Sequence, residues 1–136
     1  MKCMLLVIAD YAGVEQATGK LNIIGAFGRI ITSRDFPFTY QRLSVAAKVQ
    51  SELGDHHEVR TLKIKMVDEE GGEHFYYSAP FQFKQTGNGL PSEFNAVLEL
   101  NELKFPHPGT YSFVIFVDDE EIERTHLQIV SRQKAG

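Results

Sequence analysis

Apolar and polar residues alternate along most of this chain with a period of two. Leu43, Val45, Ala47 and Val49 share one parity, as do Leu62, Ile64 and Met66, and again Phe94, Ala96, Leu98 and Leu100, while the opposite parity carries Ser44, Lys48, Lys63, Lys65, Asn95 and Glu99. Successive side chains of a β-strand point to opposite faces, so these rows predict strands with one face in a core and the other in water. The spacing places strands at residues 3–11, 20–30, 42–53, 58–67, 74–84, 93–100, 110–117 and 121–130, about eight in all, and no stretch carries a helical period.

Short turn-forming segments separate several of these strands. Gly54-Asp55-His56-His57, Asp68-Glu69-Glu70-Gly71-Gly72 and Asp118-Asp119-Glu120 have the length and composition of hairpin connections. The expected fold is therefore all-β: an antiparallel two-sheet β-sandwich, immunoglobulin-like or a related Greek key, forming a single domain over residues 1–136. Alternating strand directions put the loops around residues 14–19, 54–57, 85–91 and 118–121 at one end and those around 32–41, 68–72 and 104–109 at the other. Phe75, Tyr77, Ala79, Phe81 and Phe83 form one row, and Pro80, on the opposite face, cannot donate to a ladder, so that strand belongs at an edge or carries a bulge.

Two stretches break the alternation. Tyr111, Phe113, Ile115 and Val117 form an inward row, yet Val114 and Phe116 on the other parity are apolar too, and the first strand is likewise apolar on both faces. If the first and penultimate strands are neighbours, Met4, Leu6, Ile8, Val114 and Phe116 make one outer patch, which monomeric proteins seldom expose. The expected cover is a second copy of the chain, giving a twofold homodimer. A loop of the same chain, residues 32–41 with Phe36 and Phe38, is the alternative cover.

Composition narrows the classes of partner. The chain has 136 residues, with 18 acidic against 14 Lys and Arg and a net charge of −4. Its basic residues are scattered, so the electrostatic footprint of a nucleic-acid binder is missing. The single cysteine, Cys3, cannot form an internal disulfide, which points to a reducing compartment, most simply the cytoplasm. The apolar run that opens the chain ends at Asp10-Tyr11, lacks a small-x-small cleavage site and is too short to span a membrane, so it reads as a core strand and not as a secretion signal.

Candidate chemistry is sparse. His56 and His57 share the first predicted end with Asp118, Asp119, Glu120 and Glu121, a mixture of imidazole and carboxylate suited to a divalent transition metal. Neighbouring histidines diverge on a strand or turn, so solvated hairpin tips are the plainer reading. Neither acidic turn has calcium-loop spacing. No nucleophile elbow, phosphate-binding loop or zinc-protease motif occurs, and Gly25-Ala26-Phe27-Gly28 lacks the third glycine of a dinucleotide fingerprint. Cys3 sits in a core strand as a small hydrophobe, Tyr76 alone is too little for a sugar platform, and His107 between Pro106 and Pro108 reads as a turn residue. The expected function is a non-enzymatic interaction or structural module that self-associates and needs no cofactor. The alternative is a small-ligand or metal-binding sandwich using the loop end of His56, His57 and Asp118.

Ala9-Asp10-Tyr11, Gly19-Lys20-Leu21-Asn22-Ile23-Ile24-Gly25-Ala26-Phe27, Pro37, and Pro108-Gly109-Thr110-Tyr111 through Phe113 to Val117-Asp118 together resemble a family of small uncharacterised bacterial proteins, a domain of unknown function. The resemblance spans most of the chain. It implies a stand-alone β-sandwich found in varied genomic settings that include mobile elements, and it implies no activity. Asp119 stands where such a Val-Asp-Gly turn often has glycine.

Overall fold

The period-two rows do become strands, and the largest of them close on one another in the core of a two-sheet sandwich. The computed structural model describes residues 1–52, 58–84 and 90–132. Its nine strands are β1 (Lys2–Val14), β2 (Leu21–Ala26), β3 (Arg29–Thr32), β4 (Phe38–Gln50), β5 (Arg60–Val67), β6 (Glu73–Phe81), β7 (Glu93–Phe105), β8 (Gly109–Val117) and β9 (Glu120–Ser131). The first sheet has the order β2-β1-β4-β7 and the second β3-β9-β8-β5-β6. Leu43, Val45, Ala47 and Val49 of β4 face Leu62, Ile64 and Met66 of β5 and Tyr111, Phe113 and Ile115 of β8, and these rows are buried throughout. Burying such a side chain stabilises by roughly 1.5–3 kcal/mol, so rows of three and four decide which face points inward.

Residues 20–30 are two strands and not one. The chain breaks at Phe27-Gly28, where Phe27 N–H donates to Ile8 O at 2.9 Å, and Gly25 takes φ +70°, a left-handed conformation that glycine alone adopts without strain. β2 stays in the first sheet while β3 crosses to the second and runs parallel to β9, Ile30 beside Ile129. The pairing is thus mixed, and the expectation of antiparallel pairing throughout fails at this one ladder. β6 is an edge strand, as Pro80 required.

β1 and β8 lie in different sheets, so the outer patch expected from Met4, Leu6, Ile8, Val114 and Phe116 is not contiguous. A bulge between Cys3 and Leu5 also reverses the parity of β1. Leu6 and Ile8 consequently pack into the core, Met4 sits exposed at the bulge, and Leu5, Val7 and Ala9 take the outward row.

Each apolar outer row finds cover within the chain. β1 pairs with β4 only as far as Ala9 and continues as a hairpin with β2. That hairpin folds across the outer face of its own sheet, where Asn95 Nδ2 of β7 donates to Gly19 O at the hairpin tip, 2.9 Å away. The residues beneath, Ala9, Ser44 and Ala46, are small and almost wholly buried, which permits the close approach. On the other sheet Val114 is 2% exposed, flanked on its face by Lys65 and Arg124, and the Lys65 ammonium stands 5.3 Å from the Phe116 ring. Aliphatic stems of long charged side chains can cover apolar surface in this way. Phe36 and Phe38 line the end of the core instead: Phe38 belongs to β4 and stacks on Phe105 at 6.2 Å.

Candidate metal centre

Three side chains that can ligate a metal meet at the end of the sandwich formed by the β5–β6 and β7–β8 turns. Asp68 follows β5, and its carboxylate Oδ1 accepts the backbone N–H groups of Glu70 (2.9 Å) and Gly72 (2.8 Å), so the turn is built around it. Gly71 completes the turn with φ +85°. His74 lies near the start of β6 and approaches Asp68 Oδ2 through Nε2 at 2.7 Å. His107, between Pro106 and Pro108, brings its Nε2 to 3.7 Å from the same oxygen. The three donor atoms lie within 4.8 Å of one another, and among the described residues no other three His, Cys or acidic side chains converge in this way.

Tyr111 of β8 holds the arrangement from the core side. Its ring is fully buried, stacks on His107 (centroids 5.6 Å apart, 23° between planes) and meets His74 edge-on at 5.6 Å, with Phe105 behind it at 5.0 Å. The Tyr111 hydroxyl donates to His107 O at 2.6 Å, tying the Pro-His-Pro turn to the strand that follows. A second tie joins the two turns, because Thr110 N–H donates to Glu69 Oε1 at 2.6 Å.

The electrostatics suit a cation. The hydrogen bond from His74, followed by that from Gly72 N–H, lowers the Asp68 carboxyl from 3.8 to about 2, so it is ionised across the neutral range. His107 Nδ1 lies 3.1 Å from Pro108 O, an atom that only accepts, so Nδ1 carries the proton. Nε2, the ring nitrogen left for a ligand, stands 3.7 Å from Asp68 Oδ2. A backbone carbonyl that fixes the tautomer of a histidine is the usual support of a metal ligand. Tetrahedral bonds of about 2.0–2.1 Å place ligand atoms roughly 3.3 Å apart, between the 2.7 Å of the His74–Asp68 hydrogen bond and the 3.7 Å from Asp68 to His107, so a bound ion replaces that hydrogen bond.

The residues singled out from the sequence stand elsewhere. His56 and His57 lie outside the described residues. Asp118 Oδ2 accepts from Arg60 Nη1 at 2.9 Å and Oδ1 from Thr61 N–H at 3.0 Å, and Arg60 first among these holds its carboxyl below the usual range. Asp119 pairs with Lys63. Both carboxylates therefore tie the β8–β9 turn to β5. Cys3 is half-buried, donates to Leu5 O at 3.3 Å, and burial raises its thiol pKa. Neither His74 nor His107 was legible as a ligand, because no local motif links them. The available signal was topological: the turns at residues 68–72 and 104–109 were expected at one end, and each carries or adjoins a histidine.

The fold and this cluster define a β-sandwich domain with a His₂Asp group at one end. The chain belongs to a family of unknown function, DUF6941, which matches residues 4–130. No curated protein matches it. Among solved structures it is similar to a Pseudomonas fluorescens alkylpurine DNA glycosylase, AlkC, bound to abasic-site DNA (11% identity, TM-score 0.46, 93% of this chain and 30% of that one). A glycoside hydrolase family 2 β-glucuronidase gives 12% identity and TM-score 0.42 over 71% of this chain and 11% of that one. An immunoglobulin-like protein from Pseudomonas aeruginosa gives 14% and 0.37 over 90% of each chain. The chain thus spans less than a third of the two enzymes, and likenesses this loose carry no argument about activity.

Proposed function

We propose that the chain is a non-enzymatic β-sandwich module of a reducing compartment that binds a divalent transition-metal ion through Asp68, His74 and His107. The observation that carries this reading is the convergence of Asp68, His74 and His107, whose ligand atoms all lie within 4.8 Å of one another. Nitrogen donors favour zinc, cobalt or nickel over calcium and magnesium. A ligating imidazole must be neutral, so metal and proton compete and affinity rises with pH. Thermal melting of the tag-free chain tests it. Zinc or cobalt at a hundred times its Kd should stabilise by about 2.7 kcal/mol, calcium should not, and the His74→Ala/His107→Ala chain should lose the response. An equal response from that double variant would refute the site.

Self-association as a homodimer is a second reading, moved to a different surface. The free edge of β7 supports it: Phe94, Ala96 and Leu98 on its inward row are only partly buried. The edge has no Lys or Pro between residues 93 and 101, and its acids Glu93 and Glu99 pair with Lys48 and Arg42 of β4. Antiparallel pairing of two β7 strands about Val97 sets Asn95 opposite Glu99 and Ala96 opposite Leu98, with no acid facing an acid. Light scattering on wild type and Val97→Pro tests this. A dimer that survives Val97→Pro but dissociates with Phe116→Asp would return the interface to the outer face of β8.

A further inference from the structure

Tyr111 closes the core side of the His₂Asp group, and this limits where a further ligand can come from. The buried ring lies against both imidazoles, and its hydroxyl is committed to His107 O. Glu69, another acid on these turns, accepts the Thr110 N–H. Among the described residues no further His, Cys or acidic side chain brings a donor atom within reach of all three ligands. The open side faces solvent, where the His107 side chain is 53% exposed, and a groove along β7 lined by Phe75, Glu99, Leu100, Glu102 and Lys104 reaches His74.

Structural metal sites are closed by four protein ligands, whereas sites with three keep a position for an exogenous molecule. The two positive charges of the ion, less the one negative charge of Asp68, leave the centre with a net positive charge, which favours an anionic donor. Resting on the metal reading above, we infer that the ion at Asp68, His74 and His107 keeps an open coordination position and takes an exogenous carboxylate there. Asp68 cannot supply the missing contact itself, since Oδ1 is held by two backbone N–H groups of its own turn. Glu69 is outside the cluster, and its Oε1 accepts the Thr110 N–H that ties the two turns.

Cobalt(II) provides the test, because its visible absorption reports changes in coordination. The tag-free chain is loaded with cobalt in a non-coordinating buffer and titrated with sodium acetate, with sodium perchlorate as the ionic-strength control. A saturable spectral change with acetate, absent with perchlorate and absent from the His107→Ala chain, is the expected result. If cobalt binds with its three-ligand dependence and acetate leaves the spectrum unmoved, the position is closed and the inference falls while the metal site stands. If the Glu69→Gln chain shows a changed cobalt spectrum before any acetate is added, Glu69 is the fourth ligand and the inference is likewise overturned. If no cobalt binds, the metal reading fails and takes the inference with it.

Discussion

Removing one oxygen atom from Tyr111 separates two roles that the structure assigns to this residue, packing and positioning. In Tyr111→Phe the ring keeps its contacts with Phe105, His74 and His107, and what is lost is the hydroxyl's 2.6 Å bond to His107 O and its long 3.4 Å contact from His107 N–H. Burial raises the pKa of this phenol, so the hydroxyl is a donor at all ordinary pH. A net intramolecular hydrogen bond contributes about 0.5–1.5 kcal/mol, so a loss of about 1 kcal/mol is expected. That corresponds to roughly 3–5 °C in Tm for a domain of this size. Tyr111→Ala, which empties the ring's place in a packed core, should cost about 3–5 kcal/mol. Positioning is read separately, from cobalt affinity. The bond holds the turn that aims His107, and loss of such an outer contact typically weakens metal binding by roughly ten- to a hundredfold. Urea unfolding in the presence of a chelator gives the first quantity and cobalt titration the second. Tyr111→Phe as damaging as Tyr111→Ala would refute the division of roles, and unaltered cobalt affinity would refute the positioning.

Three further outcomes follow from the same geometry. The Asp68 carboxyl is lowered from 3.8 to about 2 in the folded chain, so the unfolded chain takes up that proton first. The stability it contributes is complete above about pH 4 and disappears as pH falls toward 2, and acid unfolding of Asp68→Asn should lack this component. Asp118 and Asp119 occupy the β8–β9 turn with φ of +50° and +67°, as a type I′ hairpin requires. Asp119→Gly relieves a left-handed residue worth about 1–2 kcal/mol and loses only an exposed pair with Lys63, so chemical denaturation should show a gain in stability. Ala46→Phe overfills the contact beneath the β1–β2 hairpin and should cost about 1–3 kcal/mol, with faster proteolysis around residues 15–20; unchanged cleavage would mean the hairpin does not rest there.

What the sequence determined by itself was local and repetitive. Period two in rows such as Leu43 to Val49 and Leu62 to Met66 specified strands and their buried faces, because a one-residue slip would turn every apolar side chain outward. Pro80 announced an edge in the same way, by lacking a donor. The tertiary structure alone decided sheet membership, because whether β2 and β3 are one strand or two depends on a bend at Gly25 to Gly28 whose direction no side-chain pattern encodes. It also decided which apolar residues of β1 face inward, since one bulge at Met4 shifts Leu6 and Ile8 from the outer face to the core. The covers were beyond pattern as well. A residue such as Val114 reads as apolar and outward, but Lys65 and Arg124 become its roof only once β5, β8 and β9 are neighbours. His74 and His107 come together for the same reason. Their shared site is made by two turns from different hairpins meeting over Tyr111, a relation that exists only after the strands have found their order.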